Sequence, residues 1–317
     1  MYEKIKGANK PKSGVPGDLP RKLVSEFGPE LSEPVCRIFN SIVSYSKQGA
    51  VKWPTPWKQE FGTPLQKIPE PLCEDDIRII SLTSFFSKVL EKFVVEWLMM
   101  YIGEKLDPKQ FGGLKGNSIS HYMIELINYI LYNQDYDLPI AVLICAIDFK
   151  KAFNRINHNI IITKLSDMGV PGWLLNIVMG FLTDRVMVVR YKGETSDTQS
   201  LPGGGPQGTL LGLLLFLILI NLCGEQGYDE IGQQITNPKK KFTPSSFHAK
   251  YVDDMTVAEA LNISESVIPN ADRPLPDTYH ARLGLKLDPM KSKVYDQIHA
   301  IKSYSDENEM KLNFKKT

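Results

Sequence analysis

Apolar residues first recur at helical spacing between Leu19 and about Tyr45. There Leu23, Phe27, Leu31, Val35, Ile38, Phe39 and Ile42 predict an amphipathic helix. Trp53 to Pro71 holds five prolines and must be extended loop or edge strand, because proline restricts the backbone and has no N–H to donate. A clearly signalled helix follows. Thr83 or Ser84 can cap it; Phe86, Val89, Leu90, Phe93, Val94, Trp97 and Leu98 form its buried stripe; Gly103 ends it. A second helix runs from about Ser118 to Asn133, with Ile119, Tyr122, Met123, Leu126, Ile127 and Ile130 on one side.

The period then changes. Ile140 to Ile147 is short, β-branched and almost wholly apolar, as a strand covered on both faces would be. The run stops at Asp148. Helical spacing returns over Asn159 to Met168, breaks at Gly169 and resumes from Pro171 to Leu182. Val186 to Tyr191 reads as a strand with Lys192-Gly193 as its turn. A glycine-rich loop (Gly203, Gly204, Gly205, Pro206) feeds the longest apolar stretch, Leu210 to Ile220. That stretch has about half of the ~20 residues a membrane-spanning helix needs, so we expect a buried core helix in a soluble protein with no membrane role. His248 to Val252 and Met255 to Ala258 flank Asp253 and Asp254, which suggests a hairpin. Asn262 to Asp288 reads as a surface insertion, followed by a helix from Ser292 to about Asn308 and a strand from Met310 to Asn313.

Composition adds bounds. With 43% apolar and 23% charged residues, the chain should fold around a core. A formal charge of +1 argues neither for nor against nucleic acid, since a neutral protein can still cluster its cations. Cys36, Cys73, Cys145 and Cys223 lie far apart with no zinc spacing, which fits a reducing compartment. The first twenty residues are basic and rich in proline and glycine, with no signal-peptide run. The expected location is intracellular, in nucleus or cytoplasm. Lys4 to Lys12 and Lys239 to Lys241 could meet a nucleic-acid backbone, although such runs are more often solvated tails.

The candidate chemistry lies in three aspartates: Asp148 at a strand end, with Asp253 and Asp254 at a hairpin tip. Two carboxylates brought together repel unless a cation neutralises them. Magnesium suits such a pair, because it takes oxygen ligands and completes its octahedron with water and substrate phosphates. The residues alone equally admit ordinary turn aspartates or a helix cap.

A resemblance joins them. Asp148-Phe149-Lys150-Lys151-Ala152-Phe153, Gly205-Pro206-Gln207-Gly208-Thr209 and Tyr251-Val252-Asp253-Asp254 resemble, in order, three palm motifs of reverse transcriptases, of the kind carried by non-LTR retrotransposons. Asp76 to Leu82 with Lys88-Val89-Leu90-Glu91, then Gln110-Phe111-Gly112, then Leu312-Asn313 with Lys316-Thr317, extend the likeness over nearly the whole chain.

That resemblance implies an α+β fold: right-hand polymerase fingers and palm, with an antiparallel palm sheet and helices packed on one face. It implies a basic segment over 1–20, a fingers-like helical region over 21–139 and a palm over 140–317. The implied activity is RNA-directed DNA polymerisation, with an RNA template, a DNA primer and dNTPs as partners. Asp148 and Asp253 would hold two magnesium ions, or manganese in their place, with Asp254 beside them contributing charge or a weaker ligand. Phe153 matches the aromatic gate that excludes a 2′-hydroxyl. Gly205, Pro206, Gln207 and Gly208 match the loop along the template–nucleotide pair. Arg78 matches the arginine that grips the triphosphate, and Lys316 the general acid for pyrophosphate.

Some positions depart from the family pattern. Asn154 stands for a usual Asp, Gly205 for Val and Leu213 for Pro, while Leu222 falls where an Asp often stands. The chain also stops at Thr317, just after the fourth palm motif, which leads us to expect a core without the thumb that clamps duplex. The rival expectation is an inactive retroelement remnant that only binds nucleic acid.

Overall fold

The computed structural model describes residues 15–135, 140–223, 246–262, 267–269, 285–287 and 293–313. The basic clusters at Lys4–Lys12 and Lys239–Lys241, most of the predicted insertion, and Lys316 lie outside the described residues. In chain order the elements are α1 (Arg21–Glu26), α2 (Gly28–Lys47), β1 (Gln59–Gln66), β2 (Ile77–Leu82), α3 (Phe85–Ile102), α4 (Ile119–Gln134) and β3 (Ile140–Asp148). Then come α5 (His158–Asp167), α6 (Gly172–Leu182), β4 (Arg185–Tyr191), β5 (Glu194–Thr195), β6 (Gln199–Leu201) and α7 (Leu210–Leu219). The last are β7 (Ser246–Tyr251), β8 (Asp254–Asn262), β9 (Val267–Pro269), β10 (Leu285–Leu287) and α8 (Lys293–Glu307).

The chain divides into two compact units: Met1–Leu106 with Lys151–Leu219, and Asp107–Lys150 with Ile220–Thr317. The first unit carries a mixed sheet in the order β2-β1-β4-β5, with β6 also on β4. The proline-rich segment expected at an edge is thus in the middle. It is tolerated because β1 pairs with β4 only from Gln59 to Gly62, so Pro64 lies beyond the parallel ladder. Arg185, fully buried, ties β4 to β1 through Nε to Glu60 Oε1 at 2.6 Å. The predicted turn at Lys192-Gly193 has φ of +49° and +92°, the left-handed pair that matches the twist of a tight hairpin.

Helix α3 is capped from a distance. Its Phe85 N–H donates to Asp18 Oδ2 at 2.9 Å and Ser84 Oγ donates to Asp18 Oδ1 at 2.7 Å, so the carboxylate lies at the positive end of the helix. Ser84 occupies the cap position but does not itself close the turn. The helix from Leu19 is broken at Phe27 into α1 and α2, with Pro29 in the first turn of the second. Helix α7 is the expected core helix, with Leu211 and every residue from Leu214 to Leu219 buried. Among the described residues no helix is long and apolar enough to cross a membrane.

The second unit carries the antiparallel sheet β3-β8-β7. Here β3 stands at the edge, with β8 as its neighbour among the described strands, and is only partly covered, where the apolar run led us to expect burial on both faces. Helix α4 packs on one face of the sheet through Tyr122, Leu126 and Tyr129, against Phe247, Ala249, Val142 and Ala258. Its apolar stripe is wider than the face it covers, and Ile119, Met123 and Ile127 stay exposed. Glu259, of opposite parity to Ala258 on β8, accepts from Val294 N at 2.9 Å at the start of α8. Helices therefore flank both faces of this sheet rather than one, within an α+β fold as expected.

Candidate active site

Strand register brings the aspartates to neighbouring positions. In the β3–β8 ladder Asp148 is the direct partner of Asp254, and cross-strand partners point to the same side at close range. Tyr251 pairs with Asp254 to close the β7–β8 hairpin, which leaves Val252 and Asp253 as its two-residue turn. All three predicted aspartates thus lie at one end of one sheet. Asp148 is partly buried, as is Asp253, and Asp254 is exposed.

The turn is strained and supported. Val252 has φ +58°, a conformation that a β-branched residue adopts only under constraint. Its N–H donates to Gln110 Oε1 at 3.1 Å, and the same oxygen accepts Gly112 N–H at 3.0 Å. A Cβ on Gly112 would meet Val252 N at 2.6 Å and Tyr251 C at 2.9 Å, so glycine is needed where the strap passes under the turn. The strap 107–112 runs beside β7, with Lys250 N donating to Lys109 O at 2.9 Å and Phe111 N to Lys250 O at 2.8 Å.

A buried polar cluster anchors that strap. Lys250 Nζ donates to Ile220 O, Asn221 O and Asp107 Oδ2 at 3.0, 2.6 and 2.7 Å. His248 Nε2 meets the same carboxylate at 3.2 Å, and Asn221 Oδ1 accepts from Asp107 N at 2.8 Å. Burial alone would raise the Asp107 pKa. The His248 hydrogen bond and the Lys250 charge outweigh it and hold the carboxyl down at about 2.

On the opposite edge, the segment after α8 lies along the end of β3. Phe149 and Leu312 form an antiparallel bridge, and Lys150 N donates to Lys311 O at 2.8 Å. Asn313 donates from its backbone N to Asp148 O at 2.8 Å and from Nδ2 to Asp148 Oδ2 at 2.7 Å.

The other described candidates belong to the first unit. Phe153 sits in the short 3-10 turn Ala152–Arg155, half-buried, its ring 5.1 Å from that of Phe216. The loop Gly205 to Gly208 is tied to that turn by Gly205 N to Phe153 O at 2.8 Å, and to β2 by Ser81 N to Gln207 O at 3.3 Å. Gly208 needs its lack of a side chain for φ +98°. Thr209 Oγ1 accepts Gly212 N at 3.1 Å, and a Cβ at Gly212 would meet Pro206 O at 2.7 Å, so α7 begins tight against the loop. Arg78 stands exposed on β2, three residues before Ser81.

The structure thus gathers the aspartates in one unit, and Arg78, Phe153 and the Gly205–Gly208 loop in the other. Gln110, Gly112 and Asn313 fell inside recognised motifs without a role attached. His248 and Lys250 lie in the strand expected before the aspartate pair, but nothing in the sequence gives them or Asp107 a role. A lysine and a histidine inside an otherwise apolar strand were the available signal, because a buried charge demands a buried partner.

The donor set fits magnesium in kind: oxygen ligands, two of them on directly opposed strands. Among the described residues no cluster of three or more metal-ligating side chains could enclose an ion alone. Magnesium requires none, because substrate phosphates and water complete its shell.

Comparison with known proteins bears on the family and the fold. The chain is 27% identical over 214 residues to the probable RNA-directed DNA polymerase from transposon BS of Drosophila melanogaster, covering 66% of this chain and 22% of that protein. It is 24% identical over 187 residues to the RNA-directed DNA polymerase from mobile element jockey of the same organism, covering 57% and 19%. It is also 24% identical over 190 residues to the Pol polyprotein of the type-1 retrotransposable element R2 of Popillia japonica, covering 59% and 26%. The chain therefore spans about a fifth to a quarter of the length of these relatives. A solved telomerase from Candida tropicalis, in complex with a fragment of telomeric RNA, shares the fold: TM-score 0.51 at 14% identity, over 92% of this chain and 44% of that one. The family described as reverse transcriptase (RNA-dependent DNA polymerase) matches residues 66–317, and the chain belongs to it.

Proposed function

We propose that this chain carries the catalytic core of an RNA-directed DNA polymerase, extending a DNA primer on an RNA template with dNTPs. The observation that carries the reading is the register that sets Asp148 opposite Asp254, at a hairpin whose turn holds Asp253. In this reading the primer 3′-hydroxyl attacks the α-phosphate of the dNTP. One P–O bond forms as the hydroxyl gives up its proton to water, the bond to pyrophosphate breaks, and Lys316 gives the departing pyrophosphate a proton.

Asp148 and Asp253 would hold the metal ions, with Asp254 adding charge or a weaker ligand beside them. Two magnesium ions, when bound, supply activation of the hydroxyl and neutralisation of the leaving group. Arg78 forks onto the triphosphate as a guanidinium does. Phe153 presents its ring under the sugar and leaves no room for a 2′-hydroxyl. Gly205 to Gly208 lie along the nascent base pair, where glycine permits close backbone approach. Rate comes mainly from positioning and charge.

The test is primer extension on an RNA template by the wild-type chain and by Asp253→Asn. Extension by the first and none by the second is the expected result. Equal extension by both would refute the assignment. Tight duplex binding without extension by either would favour a nucleic-acid-binding remnant instead.

A further inference from the structure

We infer that Asn313 is a positioning residue for Asp148, fixing the orientation of the carboxylate that would hold a cation. The inference rests on the reading of Asp148 as a metal ligand. Asn313 grips Asp148 at two points, its backbone N on the carbonyl at 2.8 Å and its Nδ2 on Oδ2 at 2.7 Å.

The segment cannot slide. Glu309, at φ +56°, turns the chain out of α8, and Met310 N returns to Ser305 O at 2.8 Å. The Phe149–Leu312 bridge and the Lys150 N to Lys311 O bond then fix the register, so the amide always falls opposite Asp148. The orientation of the amide follows as well. Its carbonyl turned toward the carboxylate would set two acceptors face to face, so Nδ2 must be the contacting atom.

The residue type suits the task. An amide occupies one lone pair of Oδ2 and fixes the side-chain rotamer, yet leaves the carboxylate its full charge. A lysine or arginine there would neutralise the charge and compete with the metal, and an aspartate would repel it. Partners that orient a metal ligand typically contribute about 10–100-fold to metal affinity. The motif that resembles the fourth palm motif therefore acts on Asp148 through Asn313.

The experiment measures Mn2+ affinity by electron paramagnetic resonance in a non-reacting complex with RNA template, dideoxy-terminated primer and dNTP. Wild type is compared with Asn313→Leu, which lacks the donor, and Asn313→Asp, which replaces it with an acceptor while keeping the backbone bonds. Melting temperature and template–primer affinity are recorded beside it. Both variants should bind Mn2+ at least about tenfold more weakly, with template–primer affinity unchanged. Mn2+ affinity equal to wild type in a folded variant, or a fall in melting temperature alone, would overturn the inference and leave the Asp148 reading standing. No Mn2+ bound by wild type would overturn both.

Discussion

At the scale of single residues, strain and close contact mark the site more sharply than charge does. Val252 at φ +58° stores backbone strain at the hairpin tip, and Gln110 and Gly112 hold it there. Gly112→Ala tests this directly. Its methyl group would lie 2.6 Å from Val252 N, and the neighbour that must yield is backbone. Overpacking of this kind costs about 1–3 kcal/mol, so a lower urea midpoint together with reduced primer extension is expected. An unchanged midpoint would show that the strap does not brace the turn. Gln110 and Gly112 were visible in the sequence as a matching tripeptide. Their purpose was not, because a hydrogen bond across 142 residues of chain leaves no local trace.

At the scale of elements, buried charge decides how pieces are joined. Glu91 on α3 is fully buried and accepts Leu211 N–H, at the start of α7, at 3.4 Å. Burial pushes its pKa up to about 7, and the Leu211 hydrogen bond and Arg185 charge only partly oppose it. The folded pKa is raised above the unfolded value of 4.5, so protonated Glu91 is the form the fold favours. Stability from this group is complete below pH 4.5 and is lost as pH rises through about 7. The loss reaches about 3 kcal/mol at its fullest. Glu91→Gln should flatten that part of the stability–pH curve and gain relative to wild type at pH 8, as chemical denaturation at a series of pH values would show. An unaltered slope would mean that Glu91 does not titrate in this range. Asp107 works in the opposite sense. Its depressed pKa stabilises the strap above about pH 3.8 and fails as pH falls toward 2.

At the scale of the whole molecule, the two units carry different parts of the proposed chemistry, and the sequence announced them unequally. Asp148 was legible because an apolar run ends on it, and the hairpin because two short strands flank Asp253 and Asp254. The order of motifs supplied the family. The position of β1 inside a sheet was not legible, since its prolines argued for an edge and the pairing that ends at Gly62 is a tertiary fact. The edge position of β3 was hidden by its apolar composition, and the cap of α3 by the 67 residues that separate Asp18 from Phe85. Local patterning recovered elements, while partners distant in sequence decided how they were arranged.

The measurement that bears most directly on the account is single-turnover incorporation of one dNTP. Excess protein would be mixed with an RNA template, a DNA primer and magnesium, for wild type and for Asp148→Asn. The account predicts one-nucleotide extension by wild type and a rate at least roughly a thousandfold lower for the variant, the several kcal/mol that a lost metal site costs. Equal rates from the two proteins would contradict it, because Asp148 would then be an ordinary strand-end aspartate.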